Sequence, residues 1–215
     1  MKTSSILLAA AVSLLCGAAE ATTISMNFGG MPADGSETTT VEGATVFNFN
    51  DCQRPAGYSG DGQIVSGSVS GQYAAPPKPA NTTCYLSVPD RTPTTRTETF
   101  AAGGDFNYFG LFWGSMDDYN TLSFYNDGVL VGSFTGSQVV EYGDADGVQA
   151  GDRTNRYVNF FFSDGYFDTV KFYSSGYAFE SDNHAIARVP EPGTLALLGL
   201  GLTGIGLMRR RRRTV

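Results

Sequence analysis

From residue 22 to residue 188 the apolar residues almost never recur at the helical period; they come in short, often alternating runs. β-Branched and aromatic residues fill these runs, and glycine, asparagine and aspartate separate them. The pattern predicts strands over residues 23–28, 44–50, 63–70, 95–100, 108–113, 121–126, 129–135, 156–163, 167–173 and 178–188. Strands at that spacing, with turn residues between them, are what an antiparallel β-sandwich produces. In NTLSFYNDGVLVGSF, Asp127-Gly128 suits a type I′ turn, which sets Phe124 opposite Val131 and Tyr125 opposite Leu130. A second pairing is expected between RYVNFFFS and FDTVKFYSS, joined by Asp164-Gly165-Tyr166. Residues 73–93 contain Pro76, Pro77, Pro79 and Pro89 and read as a long loop. The threonine-rich stretch 92–99 reads as an edge strand or, in an exported protein, as a glycosylated segment.

The two ends of the chain differ from this body. Lys2 supplies a positive n-region, residues 6–15 an apolar h-region, and Ala19-Glu20-Ala21 an A-x-A site. Signal peptidase would cut after Ala21, so the mature chain starts at Thr22, and Cys16 goes with the leader. At the other end, residues 194–208 carry no charge and read as a membrane helix despite four interior glycines. At about 1.5 Å per residue the segment spans roughly 22 Å, against a hydrocarbon core of ~30 Å. Arg209, Arg210, Arg211, Arg212 and Arg213 can snorkel to the headgroups and make up the difference. By the positive-inside rule the arginines stay cytoplasmic, which puts everything before Pro190 on the outer side of the membrane. A buried core helix with a basic tail is the alternative, but five consecutive arginines do not sit beside a core.

The order Pro190-Glu191-Pro192, apolar span, arginine block resembles the PEP-CTERM sorting signal of Gram-negative bacteria. The resemblance covers Val189 to Gly193, residues 194–208 and Arg209 to Arg213, with a signal peptide at the opposite end. It implies recognition by an exosortase, a membrane-embedded cysteine transpeptidase-like enzyme that cleaves near the motif. The expected organisation is a signal peptide at 1–21, an exported β domain at 22–188 and a sorting signal at 189–215. The prolines keep the motif extended outside the membrane, and Glu191 offers a charge that a cationic pocket reads. By composition alone, Pro-Glu-Pro is also a stiff linker.

Removing Lys2 and the five tail arginines from the 14 basic residues leaves 8; removing Glu20 and Glu191 from the 21 acidic ones leaves 19. The exported segment is therefore near −11, which excludes nucleic acid and anionic lipid as natural partners. Cys52 and Cys84 remain, and an even count in an oxidising compartment points to one disulfide, with two buried free thiols as the alternative. Asp144 and Asp146, in a glycine-flanked loop, suit a hard cation such as structural Ca²⁺. Asp117, Asp118 and Asn120 form a similar set; a solvated acidic turn is the plainer reading of both, and no other cofactor is expected. Trp113, Tyr119, Tyr142 and Tyr166 are candidate sugar-stacking platforms, with core packing the expected role of Trp113. His184 is the chain's single histidine, and no Gly-x-Ser-x-Gly elbow accompanies it. A paired-carboxylate glycosidase stays open, because spatial pairing is invisible in sequence.

Trp113-Gly114-Ser115-Met116-Asp117-Asp118-Tyr119-Asn120 and Ala178-Phe179-Glu180-Ser181-Asp182-Asn183 resemble the characteristic elements of a β-sandwich domain common in exported PEP-CTERM proteins. That likeness implies a jelly-roll-like, all-β, antiparallel fold and no specific chemistry. The expected protein is a non-enzymatic surface or extracellular-matrix component. It would be anchored transiently in the inner membrane with its domain periplasmic, then released to the cell surface or beyond. A carbohydrate-binding module acting on extracellular polysaccharide, with or without Ca²⁺, is the rival reading.

Overall fold

The computed structural model describes residues 22–33, 35–77, 83–140 and 143–190. Ala19 and Ala21, Tyr142, Glu191, Pro192, the span 194–208 and Arg209 to Arg213 lie outside the described residues. The described chain is almost wholly β-structure, in the order β1 (Thr23–Phe28), β2 (Met31–Pro32), β3 (Glu37–Thr38), β4 (Thr45–Phe47), β5 (Tyr58–Gly60), β6 (Gln63–Ser66) and β7 (Cys84–Val88). There follow β8 (Thr97–Phe106), β9 (Tyr108–Gly114), β10 (Asn120–Asn126), β11 (Val129–Thr135), α1 (Gly136–Val139), β12 (Arg156–Ser163), β13 (Phe167–Ser174) and β14 (Phe179–Ala187). No helix among the described residues is long and apolar enough to cross a membrane.

All the pairings are antiparallel. One large sheet runs β1-β12-β9-β14-β7-β6, with β4 also on β14; a second runs β11-β10-β13-β8-β5, and β2 pairs with β3 alone. β7 and β4 share one edge of β14, at Phe179–Ser181 and His184–Ile186, while β9 takes the opposite edge. Period-2 alternation explains the core between the sheets. In β10, Leu122 and Phe124 point inward, and Thr121, Ser123 and Tyr125 are less buried. Phe109 of the first sheet lies 5.6 Å from Phe124 and 6.2 Å from Phe172 of the second, centroid to centroid, so aromatic rings interleave across the layers.

β9 and β14 are buried along their whole length; Ser36 and Thr39 lie against Asp182, Asn183 and Tyr108, and Ala74 lies against Glu180. Polar side chains seal that contact. Thr39 Oγ1 lies 2.6 Å from the Tyr108 hydroxyl, which donates to Asn159 Oδ1 at 2.7 Å. Asn183 Nδ2 donates to Ser36 Oγ at 2.8 Å. Each buried polar group in this network thereby regains the partner it gave up in water.

Four sequence expectations need correction. Residues 84–88 are a fully buried strand, not part of a long loop. The prolines frame β7 without entering it, and burial on both faces removes the alternation that marks a strand. RYVNFFFS and FDTVKFYSS do not pair: β12 lies between β1 and β9, β13 between β10 and β8, and Asp164–Tyr166 carries the chain from one sheet to the other. The Asp127-Gly128 turn has φ of 49° and 76°, as a type I′ turn requires, and Tyr125 faces Leu130. A bulge then places Phe124 opposite Gly132 rather than Val131. The threonine-rich stretch leads into β8, whose residues 98–100 are covered by β5, so it is not an edge there.

Candidate functional site

After β9 the chain turns through Ser115-Met116-Asp117-Asp118-Tyr119 into β10. Ser115 sits at φ 34°, a left-handed conformation that is costly for a residue with a β-carbon. Two contacts hold it there: its N–H donates to Asn155 Oδ1 (2.7 Å) and its hydroxyl to Glu180 Oε2 (2.8 Å). Asn120 closes the turn, its Oδ1 accepting the Asp117 N–H at 3.0 Å. Its Nδ2 donates to Ser174 Oγ (3.0 Å) and to the Ala178 carbonyl (3.3 Å), which ties the turn to the start of β14. Trp113 stacks on Phe179 with centroids 4.3 Å apart. The two segments that resembled a known exported domain therefore interlock through a ring stack and two side-chain hydrogen bonds, Ser115 to Glu180 and Asn120 to Ala178.

A cleft of about 410 Å³ opens beside this lock, between the β6–β7 connection, the β9–β10 turn and the loop before β12. Ser115, Asp117, Tyr119 and Glu180 line it, together with Tyr73 and Tyr177. The Tyr119 hydroxyl donates to the Tyr177 carbonyl at 2.7 Å and fixes that ring at the rim. Glu180 is 2% exposed, and its Oε1 accepts the Ala74 N–H at 2.9 Å. Burial pushes its carboxyl up to about 8, and the Asp117 charge adds to the rise while Ala74 and Ser115 oppose it. Asp117 is raised as well, by burial first and then by the charges of Asp118 and Asp146, while the nearby Tyr119 hydroxyl opposes the rise. Gly147, at φ 64°, makes room for Asp117: a β-carbon there would lie 2.5 Å from Oδ1.

The predicted site residues fall in several places. Cys52 and Cys84 form the disulfide, with Cα atoms 5.2 Å apart. Asp146 borders the cleft, but Arg153 Nη2 donates to both its oxygens (2.9 and 2.8 Å) and Arg153 Nη1 donates to the Asp144 carbonyl. That hydrogen-bonded guanidinium holds the Asp146 carboxyl below the usual range. Among the described residues, no three His, Cys, Asp or Glu side chains gather to hold a metal ion. Trp113 is fully buried in the core, and Tyr166 lies away from the cleft beneath the Arg188 guanidinium. His184 is fully buried between Tyr58 and Ser181, its Nδ1 and Nε2 each 2.8 Å from a hydroxyl; burial pulls it down to about 3. Pro190 is exposed, next to Val189, which exchanges two 2.7 Å hydrogen bonds with the Asn107 side chain.

Sequence reading missed Glu180 as a buried acid, Tyr73 and Tyr177 at the rim, and Arg153 as the partner of the acidic loop. One signal was available for Glu180: a carboxylate between Phe179 and Ser181 in a strand pattern whose neighbours are buried. Nothing in the spacing points to Tyr73 or Arg153.

No curated protein matches the chain. Among solved structures, the catalytic domain of a GH87 alpha-1,3-glucanase in complex with tetrasaccharides is similar at a TM-score of 0.41 and 15% identity. The alignment covers 74% of this chain and 30% of that one, so the present chain spans under a third of its length. Residues 188–213 match the family model of the PEP-CTERM protein-sorting motif, and they mark the chain as an exported protein sorted by an exosortase.

Proposed function

We propose that this chain is a non-enzymatic component of the cell surface or extracellular matrix. Its domain crosses the inner membrane behind a cleaved leader, and residues 194–208 with the arginine block then hold it there. The exosortase cuts near Pro190-Glu191-Pro192 and leaves the β domain outside the cell. The sorting motif at residues 188–213 carries this reading, and its position supports it. Arg188 pairs with Asp105 and Val189 is clamped by Asn107, so the first residues of the motif are tied to the β domain. The disulfide fits an oxidising destination. Changing Glu191 to alanine tests the reading: the precursor should accumulate in the membrane fraction. Normal release of that variant would refute it.

A further inference from the structure

We propose that the cleft lined by Ser115, Asp117, Tyr119, Glu180, Tyr73 and Tyr177 is a binding site for a neutral polysaccharide, taken as short stretches of sugar units. Its volume of about 410 Å³ falls in the range of small-ligand sites, about 300–1,000 Å³. The polar groups in it suit an uncharged ligand that both donates and accepts hydrogen bonds. Glu180 is protonated at neutral pH, so it and Ser115 together hold two protons. Their mutual hydrogen bond uses one of these, and the other is a donor for a sugar hydroxyl. Asp117 supplies an acceptor. Tyr119 and Tyr177, the latter 38% exposed with the Arg96 guanidinium over one face of its ring, are aromatic rings beside Glu180 for the apolar side of a pyranose.

Other ligand classes fit less well. No basic side chain lines the cleft among the described residues, and the exported segment is near −11, so a polyanion meets repulsion. A cation finds its best carboxylate, Asp146, already held by Arg153 and finds Glu180 neutral. The groups facing Glu180 are Asp117 and Tyr119 from the β9–β10 turn and Tyr85 from β7, with Tyr73 beside Tyr85 and Asp146 beside Asp117. No cation among them lowers the Glu180 carboxyl.

This assignment deepens the matrix reading by naming a ligand class, and it rests on that reading only for where the polysaccharide would be met. The test uses the full chain, purified in a detergent without a sugar headgroup. Oligosaccharides of glucose, mannose and xylose are titrated by calorimetry across pH, with oligogalacturonate as the anionic probe. Saturable binding of a neutral oligosaccharide is expected at neutral pH, unchanged by chelator and lost as the pH rises through about 8. Glu180→Gln keeps a neutral donor, so its binding should persist above that pH. Tyr119→Ala should weaken binding about tenfold or more with the melting temperature recorded alongside. The proposal is overturned if no neutral oligosaccharide saturates, if only oligogalacturonate binds, or if chelator abolishes binding. Identical pH profiles for wild type and Glu180→Gln would overturn it too. Failure here leaves the membrane retention of Glu191→Ala unaffected, so the two readings fall separately.

Discussion

Glu180 and His184 stand four positions apart on β14, and burial drives both to their neutral forms. Their effects on stability have opposite signs with pH. Glu180, raised from 4.5 to about 8, contributes fully below its ordinary value, and the contribution is lost as pH rises to about 8. His184, lowered from 6.5 to about 3, contributes above 6.5 and loses that contribution as pH falls toward 3. Urea midpoints should therefore be highest between these limits. Glu180→Gln should flatten the alkaline limb, leaving the part due to Glu98, whose carboxyl burial also raises. Parallel profiles for wild type and Glu180→Gln would contradict the account. At Gly147 the prediction concerns the backbone. Alanine there meets both a positive φ and the Asp117 carboxylate, and should cost about 1 kcal/mol or more in denaturant titration. An unchanged midpoint would mean that the loop relaxes freely.

At the scale of elements, β7 depends on its covalent tether. It sits between β6 and β14 with prolines close on either side, and Cys84 is its first residue. Closing the chain across a separation of 32 residues is worth roughly 3 to 4 kcal/mol in the chain-entropy model. Replacing Cys52 and Cys84 by serine should lower the denaturation midpoint accordingly, and peptide mapping without reduction should recover the two cysteines joined. Two alkylatable thiols would refute the bond.

The elements also show what a sequence of this kind reveals. β1, β11 and β12 have the predicted bounds because glycine, aspartate and asparagine stop the alternating runs cleanly. β7 was hidden because both its faces are buried, and β5 because three residues hold no period. The partners of β12 and β13 were invisible, since each run is consistent with any neighbour that covers its apolar face. The cleft was half legible. The segments that carry Ser115 and Glu180 were recognised, but these residues meet only through the pairing of β9 with β14. Arg153 could not be assigned to Asp146 from spacing alone.

At the scale of the whole molecule, an acidic β domain carries a sorting motif at residues 188–213. In its acidic loop Arg153 already occupies the Asp146 carboxylate, so millimolar Ca²⁺ should leave the melting temperature unchanged. A rise would show that a cation displaces the guanidinium. The decisive measurement concerns the ends of the protein in its native host. Membrane, envelope and medium fractions should be resolved and the chain's intact mass determined in each. The account predicts an extracytoplasmic form that begins at Thr22, has lost residues 194–215 and retains the Cys52–Cys84 bond. A cytosolic chain carrying both its leader and its arginine block would contradict it.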